Sequence, residues 1–242
     1  TGEPVTDPGV SFALRQDGEE ENPGESGNWI AAGELRNVSQ TGVYWYRVEY
    51  ASHAVYYGED PVQIRILPAE LTVSGNLTTE KPYDGTAEAA ITDGIVTGQK
   101  NGEDVRITSA AASYADADAG TGKMITAVYE VAFGAGAEPG NYRFAGTASG
   151  EGSIRTVTTE TTGGVITAAP VTVAISDQTA VYDGTKPEAG SMPGTDWRIT
   201  SGQTYGDDSL GVSLTVDGAD NGDAGRYAIA GDWDNDNYQV TF

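Results

Sequence analysis

Three aspartates near the end of the sequence have a spacing that could bind calcium. Asp232, Asp234 and Asp236 stand in the stretch GDWDNDNY, with the i, i+2, i+4 spacing of the carboxylates in a calcium-binding loop. Asn237 occupies the position where such a loop has its turn glycine. Along a β-strand the same spacing places three carboxylates on one solvated face. The sequence therefore leaves open a calcium site or a charged strand face, and it indicates no other cofactor.

A group of aromatic residues could bind a ligand through its rings. Segment 43–57, VYWYRVEYASHAVYY, is rich in tyrosine and contains a tryptophan. An exposed patch of such rings would suit stacking on sugars or contact with a protein partner. The alternative is that the rings pack against a neighbouring module. The ligand-binding candidates in this segment are Trp45, Tyr46, Tyr56 and Tyr57.

No combination of residues points to catalysis. The chain has no cysteine, and its one histidine, His53, cannot by itself form a catalytic triad or a multi-histidine metal site. Carboxylates are numerous, but a glycosidase needs two of them facing each other across a cleft. We therefore expect that the protein is not an enzyme and has no catalytic residues.

The charge of the chain restricts its partners. There are 36 Asp and Glu against 13 Lys and Arg, a net charge of −23. Such a charge repels phosphate backbones and anionic lipid headgroups, so we expect no nucleic-acid partner. No apolar run approaches the length of a membrane span, so we expect no membrane insertion in this segment. Strong net charge also opposes self-association, which predicts a monomer.

The elements that carry these residues are predicted to be β-strands. Short runs that alternate between apolar and polar residues recur along the chain, separated by Gly, Asp and Asn. Examples are VSFALR at 10–15, VQIRIL at 62–67 and LGVSLTVDG at 210–218. Alternation with period two and turn residues about every ten positions is typical of an all-β protein.

One tetrapeptide, Tyr-Asp-Gly-Thr, occurs twice about one small domain apart. Three further pairs of segments match in the same order: RILPAELTV with VITAAPVTV, then a shared Asp-Ala-Gly, then a shared Asn-Tyr. Ordered matches of this kind indicate an internal duplication. The repeated positions are Tyr83, Asp84 and Gly85 in the first copy and Tyr182, Asp183 and Gly184 in the second.

The repeated tetrapeptide predicts a tight turn. An aspartate can accept local backbone N–H bonds, and the glycine after it can take a positive φ. We expect the tyrosine before it to lay its ring across the end of a sandwich core. The alternative is that tyrosine and aspartate form a binding site.

A second pattern links the start of the chain to its end. Gly42 and Tyr44 have the same Gly-x-Tyr spacing as Gly225 and Tyr227. The pattern predicts a tyrosine corner of the kind found in sandwich domains, in which the phenol ties a loop to the opposite sheet. The middle copy has Gly120 but lacks the tyrosine.

These repeats predict three modules: residues 1–67, 68–167 and 168–242. Pro68 and Pro170 mark the junctions, because proline removes a backbone donor and interrupts a strand. The first module is a truncated or small variant, since it has no counterpart of the Leu/Val-Thr-Val strand. Segment 146–164 is either a long connection or an extra edge strand through Ile154 and Val157.

The quoted motifs resemble a known group of repeats. The segments KPYDGTAEA, ASYADADAGTGKMITAV and PGNYRF resemble the YDG repeat domain. The segments AVYDGTKPE, YGDDSLGVSL, DAGRYAIAG and DNYQVTF resemble MBG-type bacterial immunoglobulin-like domains. The resemblance implies tandem immunoglobulin-like β-sandwich modules in an elongated arrangement. It implies no catalytic residues.

The resemblance also implies a function. Such modules serve as adhesin stalks or cell-adhesion modules, extracellular and at the bacterial cell surface, with any signal or anchor outside this segment. The implied partner is a protein or glycan of a host or neighbouring cell. The alternative is an accessory carbohydrate-binding or spacer region of a larger extracellular glycan-degrading enzyme.

Overall fold

The computed structural model describes residues 10–16, 29–31, 34–50, 54–57, 61–219 and 222–242. These ranges contain nineteen strands and two short 3₁₀ turns, Val38–Gln40 and Pro139–Asn141, with no α-helix. The all-β prediction is confirmed. Within the described ranges no helix has the length and apolar character needed to cross a membrane. His53 lies outside the described residues.

The first five strands form one sheet. In chain order they are β1 (Val10–Gln16), β2 (Ile30–Ala31), β3 (Gly42–Tyr50), β4 (Ala54–Tyr57) and β5 (Val62–Ile64). The order is β2-β1-β3-β4, and β5 also pairs with β3. Leu14 and Tyr44 are buried along the central pair of strands.

The next nine strands form two sheets. They are β6 (Ala69–Leu77), β7 (Glu80–Pro82), β8 (Glu88–Ala89), β9 (Ile91–Thr97), β10 (Val105–Tyr114), β11 (Gly120–Phe133), β12 (Tyr142–Phe144), β13 (Thr147–Ser149) and β14 (Ile154–Thr167). One sheet has the order β13-β14-β11-β10-β8, with β7 also paired to β14, and the other has the order β12-β6-β9. Buried residues recur at every second position of β11, as the alternation predicts: Ile125, Ala127, Tyr129, Val131 and Phe133.

The last five strands also form two sheets. They are β15 (Ala169–Ile175), β16 (Trp197–Ser201), β17 (Ser213–Asp217), β18 (Ala228–Asp232) and β19 (Tyr238–Thr241). The orders are β16-β15-β19 and β17-β18. Ala169, Val171 and Val173 are buried on one face of β15.

Segment 146–164 is settled in favour of a strand. Its second half belongs to β14, which lies between β13 and β11 and therefore is not at the edge of its sheet. Val157 is fully buried, whereas Ile154 is largely exposed. Of the two alternatives that the sequence left open, the strand is correct and the long connection is not, but the strand does not lie at the edge of its sheet.

The described sheets each draw their strands from one of three ranges, 10–64, 69–167 or 169–241. Packing groups the chain differently, into two compact units. Unit 1 comprises 1–74, 95–108 and 130–157, and unit 2 comprises 75–94, 109–129 and 158–242. The three-module division and its immunoglobulin-like character therefore stay predictions.

Unit 2 contains one hydrophobic core built from strands on both sides of position 168. Tyr83, Tyr114 and Ile125 come from the middle set of strands, and Trp197 and Tyr238 come from the last set. Unit 1 has its own aromatic packing, in which the ring of Phe133 lies 6.0 Å from that of Tyr142 and 6.3 Å from that of Phe144. Apolar burial therefore joins the last two sets of strands within unit 2.

The duplication seen in the sequence is also present in the strand pairing. Tyr142 pairs with Ala69 in a parallel β12–β6 ladder, and Tyr238 pairs with Ala169 in a parallel β19–β15 ladder. The Asn-Tyr segment thus returns to the first strand of its own set in both copies.

Both Gly-x-Tyr segments make the contact expected of a tyrosine corner. The Tyr44 hydroxyl donates to the Gln40 carbonyl oxygen at 2.5 Å, and the Tyr227 hydroxyl donates to the Asp223 carbonyl oxygen at 2.6 Å. Each bond spans four residues backwards along the chain. The two segments therefore fix the loop before their strand in the same way.

Removing the first of these hydroxyls should be the more costly change. We expect Tyr44→Phe to lower the free energy of unfolding by about 1 kcal/mol, because a buried hydrogen bond is lost. Tyr227→Phe should cost less, since its half-buried ring leaves water access to the freed carbonyl. Urea denaturation of both variants checks this, and equal costs would contradict the difference in burial.

Candidate functional site: a carboxylate shared by two tyrosines

The repeated Asp-Gly turns have the local geometry that their sequence predicts. The Asp84 carboxylate accepts the Thr86 backbone N–H at 2.9 Å, and the Asp183 carboxylate accepts the Thr185 N–H at 2.9 Å. Gly85 has φ 77° and Gly184 has φ 82°. These hydrogen bonds lower the pKa of Asp183, and hydrogen bonds from Lys81 and Thr86 outweigh burial in lowering the pKa of Asp84. The Asp-Gly-Thr part of the turn therefore has the same hydrogen bond and the same glycine conformation in both copies.

The two tyrosines nevertheless have opposite surroundings. Tyr83 is 5% exposed, whereas Tyr182 is 65% exposed. The Tyr83 ring makes edge-on contacts with two other rings, at 5.8 Å from Tyr205 and 5.4 Å from Tyr238. Such edge-to-face pairs add to the stability gained by burial alone. The prediction that the ring covers a core therefore fits Tyr83 and is wrong for Tyr182.

A single carboxylate oxygen binds two of these phenols. The Tyr83 hydroxyl donates to Asp208 Oδ2 at 2.6 Å, and the Tyr238 hydroxyl donates to the same oxygen at 2.7 Å. Tyr238 also accepts the Tyr205 backbone N–H at 2.8 Å. Tyr83 and Asp208 are 125 residues apart in sequence. The cluster Tyr83–Tyr205–Asp208–Tyr238, called here the tyrosine–aspartate cluster, thus ties the middle strands to the last strands within unit 2.

A second contact joins the same two sets of strands. Asn237 Oδ1 accepts the Ala119 backbone N–H at 2.6 Å, and Asn237 Nδ2 donates to Asp118 Oδ1 at 3.1 Å. The Asn237 backbone carbonyl accepts the Ala169 N–H at 2.9 Å. Asn237 therefore bridges the Asp-Ala-Gly loop of the middle strands and the start of β15.

Unit 1 repeats this arrangement with the corresponding Asn-Tyr pair. The Tyr142 hydroxyl donates to Glu103 Oε2 at 2.8 Å and accepts the Lys100 backbone N–H at 2.9 Å. Asn141 Oδ1 accepts the Val38 N–H at 2.7 Å, and its Nδ2 donates to Asn37 Oδ1 at 2.8 Å. The asparagine thus binds a loop that precedes this set of strands. In both units the carboxylate that the tyrosine binds stands three residues after the residue whose backbone N–H the tyrosine accepts.

The electrostatics of the cluster favour stable hydrogen bonds among its side chains over proton transfer between them. The hydrogen bonds from Tyr83 and then from Tyr238 lower the pKa of Asp208, which outweighs its desolvation. The hydrogen bond to Asp208 and burial raise the pKa of Tyr83 well above the usual range. Burial, followed by the bond to Asp208, raises the pKa of Tyr238 to about 12. The phenols therefore stay neutral donors and the carboxylate stays charged. The cluster is thus suited to hold the middle and last sets of strands together.

The raised pKa of Tyr238 predicts a loss of stability in alkali. Its folded pKa is about 12, against an ordinary value near 10, so its stabilising effect is complete below pH 10. Between about pH 10 and pH 12 the unfolded state releases its proton first, and stability falls with pH. Guanidinium denaturation of the wild type and Tyr238→Phe across this range should show a shallower decline in the variant. A Tyr182→Phe control should decline like the wild type.

The predicted calcium ligands are not brought together. Asp232 ends β18 and accepts the Trp233 backbone N–H at 2.9 Å, while the Asp234 carboxylate lies against Gly211. In the part of the chain that the structure describes, no group of three or more His, Cys, Asp or Glu side chains could hold a metal ion. The calcium site at Asp232, Asp234 and Asp236 stays a prediction that this geometry does not support.

The aromatic candidates lie on the first sheet. Trp45 and Tyr46 are half-buried on β3, paired across the ladder with Arg15 and Leu14. Tyr56 and Tyr57 lie in β4, and their side chains are outside what the structure describes. A ligand-binding role for these four residues stays a prediction.

Sequence reasoning missed the residues that complete the cluster. Asp208 and Tyr205 stand in YGDDSLGVSL, a segment that carried the resemblance but was given no role in a site, and Asn237 and Tyr238 served only to align the repeats and to support the resemblance. One signal was available: Glu103 and Asp208 stand at corresponding places between the matched segments. A carboxylate kept in both copies suggests a partner for a repeated hydroxyl.

Comparison with known proteins gives one match. Residues 67–149, about a third of the chain, match the family model described as the YDG domain. The range begins just before β6 and ends with β13, so it contains Tyr83, the Asp-Ala-Gly loop and Tyr142. No curated protein and no solved structure matches the chain.

This match corrects the predicted relationship and function. YDG domain is the name of an SRA-type domain, and known members bind methylated DNA. The assignment to bacterial immunoglobulin-like surface repeats is therefore wrong on this comparison. The functions, partners and terms inferred from it, namely adhesin stalk, cell adhesion, cell-surface or glycan partner, secreted protein and accessory region of a glycan-degrading enzyme, are corrected with it.

The exclusion of nucleic acid is corrected for the same reason. It rested on the net charge of the whole chain, which sets long-range repulsion but does not describe a local binding face. The extracellular location has no test among these observations and stays a prediction.

Proposed function

We propose that this chain is a non-catalytic array of β-modules in which each module fixes the orientation of the next through a repeated side-chain clamp. The modules are the predicted ranges 1–67, 68–167 and 168–242, each a β-sandwich of immunoglobulin-like character. The clamp consists of an Asn-Tyr pair and the carboxylate that binds its tyrosine, all three in the following module. The asparagine of the pair contacts a loop of the preceding module.

One observation carries the proposal: corresponding residues make corresponding contacts in both units. Asn141 and Asn237 each accept a backbone N–H and donate to a side-chain oxygen of a preceding loop. Tyr142 and Tyr238 each accept a backbone N–H and donate to a carboxylate within their own module, which fixes the tyrosine that follows the bridging asparagine. Satisfied polar networks of this kind rigidify the groups they join.

The chemistry of the clamp supports a mechanical role. Its phenols are held neutral and its carboxylate is held charged, so no group in it is poised to exchange protons near neutral pH. The contact combines ring packing with charge-assisted hydrogen bonds, which favour one relative orientation.

Residual dipolar couplings test whether the clamp fixes orientation within unit 2. In the wild type, residues 109–129 and 169–219 should fit one alignment tensor. In the double variant Tyr83→Ala, Asn237→Ala they should require two tensors, while the dispersion of their amide signals shows that both sets of strands remain folded. Two independent tensors in the wild type would overturn the proposal.

The repeat supplies a matched control for that experiment. Tyr182 occupies the corresponding turn but is exposed, so Tyr182→Ala removes the same ring without touching the clamp. The single tensor should survive this change.

A second candidate function is binding of methylated DNA by residues 67–149, which the YDG match favours. The described surface opposes tight phosphate binding, because four of the five Lys and Arg residues in this range are ion-paired, as Lys81–Asp84, Arg106–Asp104, Lys123–Asp116 and Arg143–Glu70. Cations already paired with carboxylates release fewer counterions from DNA.

Fluorescence anisotropy with a methylated duplex decides between these functions. The measurements are made at about 50 mM salt, because electrostatic binding to DNA is stronger at low salt. Saturable binding that prefers the methylated over the unmethylated duplex would establish the second function. If the chain does not bind the duplex and unit 2 still fits a single alignment tensor, the result excludes the second function and supports the module array.

A further inference from the structure

The turn around Tyr182 is exposed where its repeat counterpart is covered. Val181 is 92% exposed and Tyr182 is 65% exposed, although exposed apolar side chains of this size gain by burial. Tyr83 donates to a carboxylate and touches two rings. Both turns have the two hydrogen bonds from threonine to the aspartate carboxylate, and Lys81 adds three more to the first turn. The two turns also differ in what packs on top of them.

The glycines of the two turns show the same contrast. A Cβ added to Gly85 would lie 3.0 Å from Tyr205 Cβ, so the loop between β16 and β17 approaches that turn closely. A Cβ added to Gly184 would meet nothing within 4 Å. The position above Gly85 is thus filled by Tyr205, whereas the corresponding position above Gly184 is open.

The neighbouring loop is also repeated and left open. Asp118 and Ala119 are bound by Asn237 through one side-chain oxygen and one backbone N–H. Asp223 and Ala224 occupy the corresponding Asp-Ala-Gly, and both are exposed. They present the same acceptor and the same donor type, a carboxylate and an amide N–H.

We infer that Val181, Tyr182, Gly184, Asp223 and Ala224 form a docking face for one further module of the same kind. This rests on the proposed function and identifies the partner chemistry. The occupant supplies an asparagine for the loop, and a carboxylate and aromatic rings for Tyr182, as Asn237, Asp208 and Tyr238 do for the first turn.

Among the described strands, none pairs with the second edge of β18, where a strand leading into such a module would add. β11 lies between β10 and β14, and β14 runs directly into β15. β18 follows the corresponding loop, and among the described strands it pairs with β17 alone. An added strand on the free edge of β18 would correspond to β14 and would deliver the next module to the docking face.

An extended chain tests the inference. A copy of residues 147–242 is appended after Phe242, which keeps the repeat in register because Phe242 stands four residues after Tyr238, as Gly146 does after Tyr142. Nitration by tetranitromethane, followed residue by residue with mass spectrometry, reports tyrosine exposure. Tyr182 should react at least about tenfold more slowly in the extended chain, because reaction then requires opening of the contact.

A variant of the extended chain identifies the contact. Asp208→Ala together with Asn237→Ala, made only in the appended copy, should restore the reactivity of Tyr182. Unchanged reactivity of Tyr182 on extension would overturn the inference. Protection of Tyr182 in the original chain at high concentration would also overturn it, since the occupant would then be a second copy.

Tyr83 separates this failure from failure of the proposed function. If Tyr83 is slow to react in both chains while Tyr182 stays reactive, the clamp is intact and only the docking inference fails. If Tyr83 reacts as fast as Tyr182 in the original chain, the clamp itself is absent.

Discussion

Alanine at Gly98 or Gly202 should destabilise the protein by about 3 kcal/mol or more, the largest effect expected of a single methyl group in this chain. A Cβ at Gly98 would lie 2.2 Å from the Glu70 carbonyl oxygen, and one at Gly202 would lie 2.4 Å from the Pro170 carbonyl oxygen. Both glycines have positive φ, 100° and 78°. Backbone strain and backbone overlap therefore act together at each position.

The chain supplies glycines that separate the two causes. Gly102 and Gly206 also have positive φ, 70° and 58°, but a Cβ there would meet nothing within 4 Å. Alanine at these positions should cost only about 1 kcal/mol, the conformational part. Urea denaturation of the four variants checks this. Equal losses at all four positions would show that the close approach to Glu70 and Pro170 does not matter.

Replacing Asp208 by alanine should cost about 2–4 kcal/mol, because two phenol hydroxyls lose their shared acceptor. Tyr238 is 1% exposed and Tyr83 is 5% exposed, so water cannot easily replace the carboxylate at either hydroxyl. The change should lower the thermal midpoint of unit 2. It should also reduce the alkaline loss of stability, since the bond to Asp208 contributes to the raised pKa of both phenols.

Two carboxylates provide the comparison. Asp207→Ala removes an exposed neighbour and should change stability by no more than about 0.5 kcal/mol. Glu103→Ala removes the acceptor of one phenol, Tyr142, and should cost less than Asp208→Ala. A loss at Asp207 as large as that at Asp208 would indicate a general charge effect in place of the specific contact.

The sequence predicted features whose causes are local. The Asp-Gly turns follow from an aspartate that accepts the N–H two residues later and from a glycine with positive φ, and the tyrosine corners span only four residues. Alternation of apolar residues predicted strands at 10–15, 62–67 and 210–218, where β1, β5 and β17 lie, because it records burial on one face of a strand. The all-β class could therefore be deduced without a structure.

The cluster could not be deduced in this way because its members are distant in sequence. Tyr83 and Tyr182 stand in the same tetrapeptide, yet one is buried and the other exposed, so the tetrapeptide does not determine the environment of its ring. What distinguishes them is Asp208, which lies 125 residues from Tyr83, in a segment to which the sequence assigned no binding role. Fold was predicted better than function. The functional prediction depended on a resemblance to bacterial surface repeats, which the family match at residues 67–149 does not support.

A double-mutant cycle between Tyr83→Phe and Asp208→Ala measures the central contact most directly. If the phenol of the middle strands is bound by the carboxylate of the last strands, the two losses should fall short of additivity by about 1–3 kcal/mol. The same cycle with Tyr182→Phe should be additive. Additive losses for Tyr83 and Asp208 would contradict the clamp on which the proposed function depends.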